Sequence, residues 1–190
     1  MNITEAIKTR RTVRKFRQEA VPAEVLREMV DCARLAAYGA NIQPLKFRLI
    51  YTPEETQKVF PLTKWAGYAP ELGPTAEEAP PAYIAVLGDI NIKKNNDFGA
   101  DAGAAVTNMM LSAMDAGYAT CWLGAINRPE IHKLLGLDDS LSVLYLLAVG
   151  KPCQESVICE MTDGDVKYFG STDGTVNVPK RSLKEIIIEQ

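Results

Sequence analysis

Five cations fall within eight residues, Arg10-Arg11-Thr12-Val13-Arg14-Lys15-Phe16-Arg17, in a chain of 190 residues whose formal net charge is only -3. Each guanidinium presents a planar fork of N–H donors that matches phosphate oxygens, and the Thr12 hydroxyl adds one more donor. Side chains of these types converging on one point would grip a phosphate. A second reading stands beside that one: arginines that follow a helix can satisfy its last carbonyls and its negative dipole end with no ligand involved. Geometry, not the count of charges, separates the two.

The next constellation is Ala37-Tyr38-Gly39-Ala40-Asn41-Ile42-Gln43-Pro44. By composition, Gly-Ala-Asn between a helix and a strand is an ordinary turn. As a site it would offer backbone amides and two carboxamides. Asn41 and Gln43 each carry both a donor and an acceptor, which suits a ligand edge where the two alternate. Nucleophilic and metal chemistry find little support. There is no Gly-x-Ser-x-Gly elbow, and Cys32, Cys121, Cys153 and Cys159 form neither a Cys-x-x-Cys pair nor a zinc-like set with the single His132. Reduced structural thiols and a surface histidine are the expectation, so a bound group would have to carry any reaction.

These residues need elements to position them. Asn2 three residues before Glu5 predicts a capped first helix ending near Arg10. Pro22 suits a first helical turn, and Val25, Leu26, Met29, Val30 and Ala33 form the apolar stripe of a second helix through about Ala36. Residues 47–51 read as a strand, Thr52-Pro53-Glu54-Glu55 opens another helix, and the prolines of 61–81 predict an irregular excursion over the surface. Ala82 to Leu87 reads as a buried strand. A long helix of small residues runs from Asp97, as N-cap, to Gly117, and that texture predicts close packing on the sheet and on a second copy of the chain. Residues 118–123 and 141–149 read as strands around a short helix capped by Asn127. Asp163-Gly164-Asp165 reads as a hairpin turn. For the tail beyond it, strand and helix both stay open.

With 47% hydrophobic residues the chain can bury one substantial core, which predicts a single domain over 1–190, with 151–190 as a C-terminal extension expected to contact the partner subunit. The charge balance gives no global basic field to recruit nucleic acid or an anionic membrane. No apolar run approaches the roughly 20 residues of a membrane span. A cytoplasmic protein is the expectation.

The Arg10-Arg11-Thr12-Val13-Arg14 opening, the Gly39-Ala40-Asn41-Ile42-Gln43-Pro44 turn, and the small-residue helix followed by Gly117-Tyr118-Ala119-Thr120-Cys121-Trp122-Leu123-Gly124 together resemble the nitroreductase family in order and spacing. Pro179-Lys180-Arg181 resembles the basic closing motif of its compact members. The resemblance implies an α+β fold, with a central, mostly antiparallel sheet flanked by helices and two chains intertwined as a homodimer. It implies a flavoprotein oxidoreductase that holds FMN at the interface and takes electrons in pairs from NADH or NADPH. These would pass by a ping-pong route to a small oxidised acceptor such as a nitroaromatic or quinone. Arg10, Arg11, Thr12 and Arg14 would hold the FMN phosphate and the N1 to O2 edge of the flavin, with Lys180 or Arg181 adding phosphate contacts. Tyr38, Gly39, Ala40, Asn41 and Gln43 would reach the flavin from the other subunit, and Leu123 and Gly124 would bring backbone N–H groups to its N5 and O4.

At Ala37 and Tyr38 the family commonly shows Pro and Ser, and at Leu45 it commonly shows Trp, departures that bear on the substrate pocket more than on the cofactor. No Gly-x-Gly-x-x-Gly is present, so a nicotinamide would visit transiently. Two rival readings are a flavoprotein of the same fold with other chemistry, reductive dehalogenation or ene reduction, and a non-enzymatic dimeric domain in which the arginines only cap a helix.

Overall fold

Residues 82–87 are apolar at every position because the strand they form is covered on both faces. In the computed structural model, which describes residues 2–188, β1 (Leu45–Ile50), β2 (Ala82–Asp89), β3 (Ala119–Leu123) and β4 (Leu141–Gly150) form one sheet. Its order is β1-β2-β4-β3 and every pairing is antiparallel. Successive residues of a strand face opposite sides. Ile84 and Val86 therefore join the core beneath α2 (Ala23–Arg34) and α4 (Gly99–Asp115), while Tyr83, Ala85 and Leu87 join a second core with Val13, Phe16, Val59 and Ile131. A fold of helices on both faces of an antiparallel sheet is the α+β architecture the sequence implies.

The caps lie where the residue types put them. Asn2 accepts the Glu5 N–H at 2.9 Å and starts α1 (Ile3–Thr9). Thr52 accepts from Glu55 at 3.3 Å before α3 (Pro53–Val59), and Asn127 from Glu130 at 3.4 Å before α5 (Arg128–Leu134). Pro22 sits one place earlier than expected, at the N-cap of α2. At the start of α4 the cap position belongs to Phe98, not Asp97. The reason is packing: Phe98 is buried against Gly88, where a β-carbon would stand 2.6 Å from its ring. Gly117 ends that helix in the left-handed region at φ 72°.

Beyond Gly150 a second sheet forms from β5 (Ser156–Glu160), β6 (Phe169–Gly170) and β7 (Val176–Lys180), in the order β5-β7-β6. Asp163 and Gly164 do make a tight turn, with φ 52° and 74° and the Asp165 N–H on Thr162 O at 3.0 Å. It closes no hairpin, because β5 and β6 both pair with β7 and not with each other. The tail resolves into both alternatives, β7 and then α6 (Leu183–Ile186). This small sheet packs on its own chain's 61–81 segment, where Ala66, Ala69 and Leu72, the last of these in a short 3-10 turn, form a cluster with Val176.

Candidate functional site

The basic segment lies along the outer edge of the sheet. Thr12 bridges Thr120 of β3 in parallel, the Val13 N–H donates to Thr120 O at 3.1 Å, and the buried side chains of Val13 and Phe16 pin the segment to the core. Lys15 and Glu78 form an ion pair at 3.2 Å that ties it to the proline-rich segment. The cations of this segment do not share one job. Arg11 meets the helix-capping reading, since it donates to Lys8 O at 2.6 Å and to Arg10 O, although its buried Nε has no partner among the described residues. Arg10 meets the other: among the described residues its half-buried guanidinium finds only the Met110 sulfur, at 3.8 Å.

Burial holds the Arg10 pKa below the ordinary arginine value. Burial, and then the charge of Arg10, does the same to Arg11. Arginine does not give up its proton in proteins, so the direction of these shifts describes two adjacent cations short of a counter-charge. Five arginines elsewhere, Arg17, Arg27, Arg34, Arg48 and Arg181, each sit within 4 Å of a carboxylate. Among the described residues Arg10, Arg11, Arg14 and Arg128 do not, and Arg128 instead donates to the carbonyls of Gly124 and Leu144. A cavity of about 310 Å³ opens beside the first two, lined also by Met114, Tyr118, Thr120, Gln154 and Ser156.

Arg14 is held by partners that the sequence did not suggest. Its guanidinium lies 4.1 Å from the centre of the Tyr168 ring, its backbone N–H donates to Gln154 Oε1 at 3.1 Å, and the Tyr168 hydroxyl accepts the Tyr68 N–H at 3.4 Å. Cation–π contact orients a guanidinium without neutralising it. The buried thiol of Cys121, pushed up to about 12 by its burial against the opposing pull of Arg14, is no nucleophile.

In the 38–44 turn, Ala40, Asn41 and Gln43 all adopt left-handed backbone, at φ 49°, 54° and 51°. Asparagine tolerates that region, whereas for alanine and glutamine it costs about 1–3 kcal/mol each. The Tyr38 hydroxyl donates to Ala33 O at 3.0 Å and the Gly39 N–H to Asp101 Oδ1 at 3.3 Å. Burial, with the Asp101 charge behind it, raises the Tyr38 pKa. Asn41 is exposed, and its carboxamide has no partner among the described residues.

Gly124 is exposed just past β3, its carbonyl accepting from Arg128 at 3.0 Å. Leu123 turns its side chain into the core, so only its backbone can serve a ligand. Lys180 is the last residue of β7, and Arg181 follows it. Ser156, which donates to Thr12 O at 3.3 Å, stands opposite Val176, so Lys180 lies about 13 Å further along at strand rise. Arg181 is paired with Glu185.

One chain therefore gathers Arg10, Arg11, Thr12 and Arg14 near the start of β3. It sets the other predicted residues apart. The turn touches α4 at Asp101 and Arg10 touches it at Met110, a separation of about 14 Å along the helix. Reading the sequence missed Tyr168, Gln154, Ser156 and Asp101. Of these only Asp101, an acidic residue in the first turn of an otherwise small and apolar helix, carried a local signal.

Comparison with known proteins follows the same outline. A Bacillus subtilis (strain 168) protein named as an NAD(P)H nitroreductase, YfhC, is 26% identical over 165 residues, covering 79% of this chain and 84% of its own length. The crystal structure of a nitroreductase family protein from Clostridium difficile 630 is 26% identical and covers 81% of this chain and 86% of its own, with a TM-score of 0.66. A nitroreductase from Exiguobacterium sibiricum 255-15, solved in complex with FMN, shares the fold at a TM-score of 0.67 and 22% identity, over 81% of this chain and 90% of its own. The sequence profile of the nitroreductase family matches residues 7–94 and 78–151, which take in the basic segment, the turn, α4 and Gly124. By that match the chain belongs to the nitroreductase family.

Proposed function

We propose that this protein is an FMN-dependent oxidoreductase. It would transfer two electrons from NADH or NADPH to a small oxidised acceptor such as a nitroaromatic or quinone, with its flavin sites in the seam of a homodimer. The observation that carries the reading is Arg10, half-buried beside a cavity with no carboxylate within 4 Å among the described residues, and with Arg11 next to it. A buried cation short of a counter-charge is costly unless an anion arrives. A flavin phosphate is such an anion, and the residues present fit it.

When bound, FMN supplies two-electron transfer between a nicotinamide donor and the acceptor. The chain supplies the rest. Arg10, Arg11 and Thr12 would bind the phosphate, and Arg14, oriented by Tyr168, would set a fixed positive charge at the flavin edge, electrostatics organised before any electron moves. Gly124 and the backbone of Leu123 would offer N–H groups at the end of β3. Asn41, exposed and without a side-chain partner among the described residues, and its neighbours Tyr38, Gly39, Ala40 and Gln43 meet α4 about 14 Å from where Arg10 does. They would complete the partner's site. Lys180 and Arg181, with the 151–190 extension, would add phosphate contacts near the same seam.

The test is the visible spectrum of the protein purified without added cofactor, then under anaerobic conditions with NADH and with NADPH. The expected result is a yellow protein that bleaches with at least one donor and recovers with a nitroaromatic or quinone. A colourless preparation that takes up no FMN on titration defeats the reading.

A further inference from the structure

The turn proposed to complete the partner's flavin site is strained, so something must hold it. Its two ends are clamped. At one end the Gly39 N–H meets Asp101 Oδ1 at 3.3 Å, and at the other Pro44 O accepts the Asp89 N–H at 2.9 Å. Between the clamps lie Ala40, Asn41 and Gln43 in left-handed backbone. Asp101 is only 3% exposed, and its second oxygen takes Lys93 Nζ at 2.8 Å. Lys93 sits in a turn directly after β2, where its own N–H donates to Asp89 O at 3.0 Å. One carboxylate thus joins the 38–44 turn, the segment after β2 and the first turn of α4, and both of its oxygens are used.

Helix stability alone does not account for this arrangement. An acidic residue in a first helical turn gains from the dipole while fully solvated, whereas burying it with a lysine recovers the desolvation cost only where geometry is good and the remaining lone pairs are bonded. Here they are bonded, and the extra bond goes to the turn. We propose that Asp101, oriented by Lys93, is a positioning residue for cofactor binding: it fixes the left-handed run of the 38–44 turn so that Asn41 and the neighbouring backbone amides are presented to the partner's flavin. The inference rests on the proposed flavin reading.

Three variants test it in the holoprotein: Asp101→Ala, Asp101→Asn, and Gly39→Pro, which deletes the donor from the opposite end and leaves Asp101 with Lys93. FMN dissociation constants and the visible circular dichroism of the bound flavin are the readouts, with thermal midpoints measured in parallel. Asp101→Ala and Gly39→Pro should each weaken FMN at least tenfold and change the flavin dichroism. Asp101→Asn, which keeps an acceptor for Gly39, should recover most of the affinity. If Asp101→Ala lowers only the thermal midpoint while affinity and dichroism stay as in the parent, Asp101 is structural and the inference fails. If Asp101→Ala does not fold, Gly39→Pro decides by the same two readouts. A parent protein that binds no FMN would instead overturn the flavin reading itself.

Discussion

Arg10 and Arg14 are neighbours in sequence held in opposite ways, and the difference predicts different losses. Arg10 is desolvated with a single sulfur contact, so Arg10→Ala removes a cation the folded chain gains little from. Folding should be unharmed, while FMN affinity should fall about 10- to 100-fold, the equivalent of one charge-assisted hydrogen bond of roughly 1.5–3 kcal/mol. Arg14→Ala also strips the cation–π contact with Tyr168, so the small sheet should loosen as well, read as faster proteolysis after Gly150. Fluorescence titration of FMN onto the double variant checks both roles; affinity unchanged from the parent would defeat the phosphate assignment. At this scale the basic cluster was legible because residue type alone says oxyanion. Tyr168 and Gln154 were not, since they reach Arg14 from more than a hundred residues away and nothing local marks an aromatic ring or a carboxamide as its partner.

Among the elements, α4 touches both the basic segment and the 38–44 turn, and one close contact sets how it meets β2. Gly88 lies under the ring of Phe98, with ring carbons 2.6 to 2.8 Å from where a β-carbon would stand. Phe98 is 2% exposed and cannot swing away. Gly88→Ala should therefore cost about 1–3 kcal/mol as an overpacked core, seen as a lower denaturation midpoint with an unchanged slope; equal midpoints would mean that the strand and helix can part freely. That contact also explains why Asp97 does not cap α4. Local pattern was enough where a cap and a stripe agree, as at Asn2, Thr52 and Asn127, because those signals are spent within one helical turn. It was not enough beyond Gly150. There β5 pairs in parallel with β7 across the intervening β6, and a tight turn at Asp163-Gly164 cannot announce that its flanking strands will choose a third partner.

At the scale of the whole molecule, one exposed apolar surface lies around α1, α2 and α4. Ile3, Ile7 and Leu35 are 76%, 56% and 65% exposed, and a cavity of about 450 Å³ between α1, α2 and α4 is lined by Ile3, Ala6, Leu35 and Leu111. Beside it runs the small-residue face of α4, Ala100, Gly103, Ala104 and Thr107, at helical spacing. Gly103 is the informative position, because a β-carbon there meets nothing within 4 Å in the single chain. In the isolated subunit Gly103→Ala should stabilise by about 0.5–1 kcal/mol, as removal of a helical glycine does. Gly103→Trp starts from the same open β-carbon position on a partly exposed helix face, and the single chain should fold. Across a seam it would hold two helices apart, since close approach needs small residues on both. The expected outcome is a well-folded monomer that purifies without FMN, because the 38–44 turn of the partner could no longer reach the arginines. Sedimentation velocity with absorbance detection reads assembly and colour in one run. A Gly103→Trp protein that sediments as a yellow dimer would place the seam on another face of the molecule, and a yellow monomer would show that one chain's arginines hold the flavin unaided.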